Sequence, residues 1–151
     1  MTTNFAYVAG LIDGEGCIHL EHSRTTYRAR LSVGMTEPAL PLLQSLQAEW
    51  GGTLYQQRQA TERWAAAWTW HATGPNAKRV IETIEPFLRL KQEQARIALE
   101  VEAIRDALER RANGDARWTP EAQARCAVLK ERMHDLNRKG PRVPASNAGA
   151  A

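Results

Sequence analysis

The sequence predicts an α+β fold running α-β-β-α-β-β-α with further helices at its C-terminal end. A four-stranded antiparallel sheet would carry its helices on one face. Two pairs of stretches with period-two alternation, at 17–35 and 54–73, supply the strands. Apolar stripes at helical spacing lie before, between and after those pairs. Glycines, prolines and short polar runs punctuate the joins.

The first helix is expected from Thr3 or Asn4 to Asp13, with Phe5, Val8 and Ile12 on one apolar stripe. Ala6, Gly10 and Asp13 form a separate small-residue face that lets another helix approach almost backbone to backbone. Gly14 and Gly16 should let the chain leave the helix in conformations that other residues resist, delivering Glu15 at its foot. In 17–23, Ile18 and Leu20 alternate with Cys17, His19, Glu21 and Ser23. After a hairpin through Arg24-Thr25-Thr26, one face carries Tyr27, Ala29, Leu31, Val33 and Met35. The other carries Arg28, Arg30, Ser32 and Gly34.

Thr36-Glu37-Pro38 starts a second helix with Leu42, Leu43, Leu46 and Trp50 inward, and Gly51-Gly52 ends it. Residues 54–58 and 64–73 form the second hairpin, with Trp68 and Trp70 as core beneath the helices. A third helix from about Pro75 turns Val80, Ile81, Ile84 and Phe87 inward, and a fourth spans Leu88 to Arg111. Thr119 caps a fifth helix with Pro120 behind it and a stripe of Cys126, Leu129, Met133 and Leu136. Gly140-Pro141 stops it. Residues 1–142 then read as one domain, and 143–151 as a disordered tail.

The chain has 151 residues, enough for one domain with a real core, and its 43% apolar and 25% charged residues are ordinary for a soluble globule. No signal-peptide pattern or membrane-length apolar run is present. The net charge of +3 permits a nucleic-acid partner without demanding one. Cys17 and Cys126 show no metal-ligand spacing and no disulfide framework, which fits a reducing compartment. Lysine is confined to positions 78, 91, 130 and 139, a bias suggesting a GC-rich genome and a cytoplasmic protein of bacterial or phage origin, with an organellar origin as the alternative.

The polar sheet face gathers Arg28, Arg30 and Arg58 with His19, Glu21, Ser23, Ser32 and Gln56. An ordinary solvated face usually mixes Glu and Lys; this one is richer in Arg and amides. Arg pairs bidentately with guanine and Gln with adenine, so the inventory suits major-groove reading.

The stretch from Val8 to Gly16 reads VAGLIDGEG and resembles the motif of the LAGLIDADG homing endonucleases. Pro86 to Ala95, PFLRLKQEQA, is similar to that family's P-F/Y-L-x-x-K-x-x-Q-A segment. The likeness runs to about Arg142 and is closest to the single-motif, homodimeric, chloroplast-intron-encoded type. It implies a DNA-binding saddle, a two-fold dimer with contacts at Ala6, Ala9, Gly10 and Asp13, and a long pseudo-palindromic double-stranded target.

The same resemblance implies that Glu15 binds catalytic Mg²⁺, with the Gly14 carbonyl as a further ligand. Mg²⁺ needs only one or two carboxylates when phosphate and water complete its shell. Lys91 matches the family lysine beside the metal–water network. Glu37 falls where a water-positioning glutamine is expected, and it serves equally as a cap of the second helix. Arg138 and Lys139 resemble a phosphate-contacting C-terminal loop; a basic helix end favouring the dipole is the competing reading. The alternative function is a nucleic-acid-binding protein of the same fold without cleavage, either an intron maturase or a DNA-binding regulator.

Overall fold

The computed structural model describes residues 4–139. The expected stop at Gly140-Pro141 and the tail at 143–151 lie outside them. The elements run α1 (Phe5–Glu15), β1 (Gly16–Ser23), β2 (Thr26–Thr36), α2 (Leu40–Trp50), β3 (Thr53–Arg58), β4 (Ala67–Thr73), α3 (Gly74–Ile84), α4 (Gln92–Ala107) and α5 (Pro120–Asn137). Single 3-10 turns precede α2 (Glu37–Ala39) and follow α3 (Glu85–Phe87). No helix among the described residues is long and apolar enough to cross a membrane.

The strands form one antiparallel sheet in the order β1-β2-β4-β3. α3 and α4 pack on β2, α2 on β4 and α5 on β1. The expected alternation fills that layer: Ile18, Ala29, Leu31, Val33 and Trp70 are fully buried, against Leu43, Leu46, Val80 and Ile84 from the helices. Period-two burial on one face and polar residues on the other follow from the pleat.

Local chemistry sets several boundaries. The Asn4 side chain accepts from the Ala6 and Tyr7 N–H groups, capping α1, and the Thr119 hydroxyl accepts from Ala122 N–H, capping α5. α2 ends at Gly51 and Gly52, both at positive φ; a Cβ on Gly52 would lie 2.4 Å from the His71 carbonyl oxygen. The first hairpin turns through Arg24 and Thr25 alone, because Thr26 already pairs with Ser23.

Five expectations need correction. The second arm of the second hairpin starts at Ala67 rather than at residue 64, because Trp64 is tied to Thr61 in a turn. α1 continues to Glu15, so Gly14 remains helical and Gly16 is extended at φ −87°. Gly16 is required by space: a Cβ there would lie 2.8 Å from Ile12 Cα. Phe87 points outward, 48% exposed, since Pro86 cannot extend α3 and the chain swings away in a 3-10 turn. α4 begins at Gln92, because the N–H groups of residues 89–91 are taken by the Asp13 carboxylate. It stops at Ala107, where Leu108 turns extended and Arg110 bridges to Ala116.

Candidate functional site

The foot of α1 is held by two residues distant in sequence. Asp13 accepts from the main-chain N–H groups of Arg89 (2.8 Å), Leu90 (3.1 Å) and Lys91 (3.0 Å). The Lys91 ammonium donates to the carbonyl oxygens of Ile12 and Asp13, each at 2.7 Å. A helix leaves its last four carbonyls without intrahelical partners and carries partial negative charge there. Lys91 supplies the donor that the Asp13 carbonyl lacks, adds a second one to the Ile12 carbonyl, which already accepts from Gly16 N–H, and places a full positive charge at that end.

Glu15 is the next side chain outward. It is exposed, and among the described residues no group pairs with its carboxylate. Gly14 is exposed too, and its carbonyl is another of the four terminal ones. Glu15 borders an open polar concavity of about 390 Å³ with Cys17, His19, Arg30, Ser32, Gly34, Tyr55, Gln57 and Thr69. Thr36 and Ala67 edge an adjoining hollow that Glu15 also lines. Glu37 follows Thr36 as the first residue of its 3-10 turn. Its N–H donates to the Ala66 carbonyl, and its side chain has no partner among the described residues.

One carboxylate per chain is what this site offers. No group of three or more His, Cys, Asp or Glu side chains gathers to hold a metal among the described residues. A single exposed carboxylate is the kind of protein ligand a hard divalent cation takes when phosphate and water complete its shell.

The register brings the expected polar residues of β1 and β2 onto one face. His19 lies opposite Arg30, Glu21 opposite Arg28 and Cys17 opposite Ser32, with Ser23 at the hairpin end. Glu21 accepts from Arg28 Nε and Arg30 Nη1, both at 2.6 Å. Burial alone would raise the Glu21 carboxyl, but hydrogen bonds from Arg30 and Arg28 outweigh it and hold it below its ordinary value. His19 and His71 are both lowered, by burial first and by the Arg30 charge second.

Gln56 is displaced from this face. It pairs opposite Trp68, on the helix-facing parity of Leu54, so plain alternation from Tyr55 puts Gln57 on the polar side, and the bulge between Gln56 and Arg58 then sets Arg58 opposite Ala67. Arg58 is engaged at the hairpin tip, donating to the Ala65 carbonyl at 3.1 Å. Sequence reasoning also missed Tyr55, Thr69 and His71. Thr69 donates to Gln57 Oε1 at 2.8 Å, and the Tyr55 and His71 rings meet at 5.8 Å. The alternation of Thr69 and His71 with Trp68 and Trp70 was the available signal.

Ala6 and Gly10 flank a second hollow with Asp13, Phe87 and Leu88. A Cβ on Gly10 would meet nothing within 4 Å. Ala9 is fully buried in the chain's own core, turned 100° round α1 from Gly10. Leu90, 74% exposed, and Phe87 enlarge the apolar surface beside that helix. Arg138 and Lys139 are exposed just beyond α5. Asn137 anchors that end by donating to the Ile18 carbonyl at 2.8 Å.

A family model described as LAGLIDADG endonuclease matches residues 8–100, spanning both the α1 foot and the Lys91 segment. The chain belongs to the LAGLIDADG endonuclease family. Solved structures share its fold. The homing endonuclease I-CvuI, in complex with its target in the presence of Ca, superposes with a TM-score of 0.71 at 22% identity, over 93% of this chain and 85% of that one. The homing endonuclease I-TnaI gives 0.62 at 14%, over 90% and 97%. The archaeal intron-encoded homing endonuclease I-Vdi141I, complexed with DNA, gives 0.65 at 14%, over 91% and 86%. A comparison with curated protein sequences finds no match.

Proposed function

We propose that this chain is a homodimeric, Mg²⁺-dependent, site-specific endonuclease that cuts both strands of a long pseudo-palindromic DNA target. The observation that carries the reading is the exposed, unpartnered Glu15 carboxylate, presented between the lysine-capped end of α1 and the floor of a polar sheet. Family membership supports endonuclease chemistry, and the fold-mates solved with DNA support the substrate class. One motif gives one Glu15. Packing α1 against its copy through Ala6, Gly10 and Asp13 would set two such carboxylates near a two-fold axis, one for each scissile phosphate. The functional domain is 1–142.

A bound divalent ion would supply an activated water and neutralise charge at the leaving oxygen. Glu15 and the Gly14 carbonyl would hold it. Lys91 is a positioning residue: its ammonium is committed to Ile12 and Asp13 carbonyls, so it fixes the helix end that aims Glu15 and offsets the local negative potential. Glu37, unpaired beside Thr36, would orient water at the rim. His19, Glu21, Ser23, Arg28, Arg30, Ser32 and Gln57 would face base edges, and Arg138 and Lys139 the phosphates.

The test is gel shift beside cleavage on a duplex that the wild-type chain selects from a randomised pool. Glu15→Gln should bind as wild type does in Ca²⁺ and lose cleavage in Mg²⁺ by orders of magnitude. Full cutting by that variant would overturn the site. Binding without cutting by the wild type would favour the binding-protein alternative.

A further inference from the structure

A singly exposed apolar side chain is ordinary on a protein surface. Three features set Trp64 apart, at the tip between β3 and β4, where it is 58% exposed. The turn is closed at Trp64 by two hydrogen bonds to Thr61: Thr61 N–H donates to the Trp64 carbonyl at 2.8 Å, and Trp64 N–H donates to the Thr61 hydroxyl Oγ1 at 3.0 Å. Two guanidinium groups, those of Arg58 and Arg63, lie near the indole, at 5.6 and 6.0 Å from its ring centroid. Unlike Arg28 and Arg30, neither has a carboxylate partner among the described residues. The tip also rises from the Glu15 end of the sheet, since Ala67, three residues on, edges the hollow beside Glu15.

We propose that Trp64 is a stacking site for a nucleobase of duplex DNA, at the step beside the cleaved phosphodiester, with Arg58 and Arg63 on the flanking phosphates. The proposal rests on the endonuclease reading above. A flat aromatic surface beside uncompensated cations matches a base flanked by phosphates, and it would repel a partner surface that is itself basic. Apolar wedges of this kind part base steps and bend the duplex. Here the wedge stands where a strand must be presented to Glu15.

The experiment uses the full chain and the selected duplex in Ca²⁺. Of the five tryptophans, Trp50 and Trp70 are buried and Trp68 and Trp118 half-buried, so acrylamide quenching reports mainly Trp64. The duplex should remove the easily quenched fraction in the wild type, and Trp64→Phe should lack that fraction from the start. Trp64→Ala should bind roughly tenfold or more weakly, and Trp64→Phe should recover much of the loss. Both variants keep the turn's two hydrogen bonds, and matching unfolding midpoints would confirm it. Unchanged quenching on duplex binding, or full affinity in Trp64→Ala, overturns this inference alone. So does protection of Trp64 by raising protein concentration without DNA. A wild-type chain that selects no duplex overturns this inference and the endonuclease reading together.

Discussion

Asp13 and Lys91 hold each other twice: the Asp13 carboxylate accepts the Lys91 main-chain N–H at 3.0 Å, and the Lys91 ammonium donates to the Asp13 carbonyl at 2.7 Å. The clasp joins the end of α1 to the approach of α4 across 78 residues of chain. It makes the position of Glu15 depend on a segment far away in sequence.

Asp13→Ala should therefore weaken the fold as well as the site. It strips three N–H groups of their acceptor. They are partly reached by water, so a loss of about 1–3 kcal/mol is expected in urea unfolding. Glu15→Gln, removing a carboxylate with no partner, should leave the unfolding midpoint unchanged. Equal destabilisation by both would place Glu15 inside the structural clasp.

Gly10 faces open space in the single chain, so Gly10→Leu should leave helical content intact. Across a two-fold helix contact the same side chain is an overpacking fault of roughly 1–3 kcal/mol or more. Sedimentation should show dimer in the wild type and monomer in the variant. A wild type that stays monomeric at micromolar concentration removes the two-fold argument.

Glu21 holds Arg28 and Arg30 before DNA arrives. Arg30→Ala should cost about 1–3 kcal/mol on the selected target and relax specificity at one position. Glu21→Gln should do the opposite on random duplex. It frees cationic charge, tightens non-specific binding and steepens the salt dependence by roughly one unit. Binding titrations across salt concentrations separate the two, and an unaltered slope in Glu21→Gln would show that the ion pairs do not restrain the arginines.

His19 and His71 are both held below the ordinary value of 6.5, by burial and then by Arg30. The folded chain thus binds fewer protons than the unfolded chain as pH falls through that value. Their contribution is fully present above pH 6.5 and is lost below it, toward the lowered folded values. Glu21 also loses stabilisation on acidification, but only as pH falls below its unfolded value of 4.5. Urea midpoints should decline from pH 7.5 to 5.5, and His71→Gln should flatten part of that decline. A His71→Gln profile as steep as the wild type's would remove His71 from the account.

The sequence by itself determined the layers of this protein. Tyr27 to Val33 alternates because a strand pleats with period two, and Cys126, Leu129 and Met133 recur at helical spacing because one face of α5 meets the sheet. Glu15 was legible because two glycines flank it in a recognisable string. Tertiary structure decided what depends on the distant chain. Asp13 ends up capping residues 89–91, which moved the start of α4 to Gln92. The register against β4 put Gln56 opposite Trp68 and left the polar face to Gln57, while a one-residue bulge after Gln56 set Arg58 opposite Ala67. Ala9 and Gly10 are neighbours of similar size, and sequence gave no means to separate them. The helix turns 100° per residue, so the core claims Ala9 and leaves Gly10 bare.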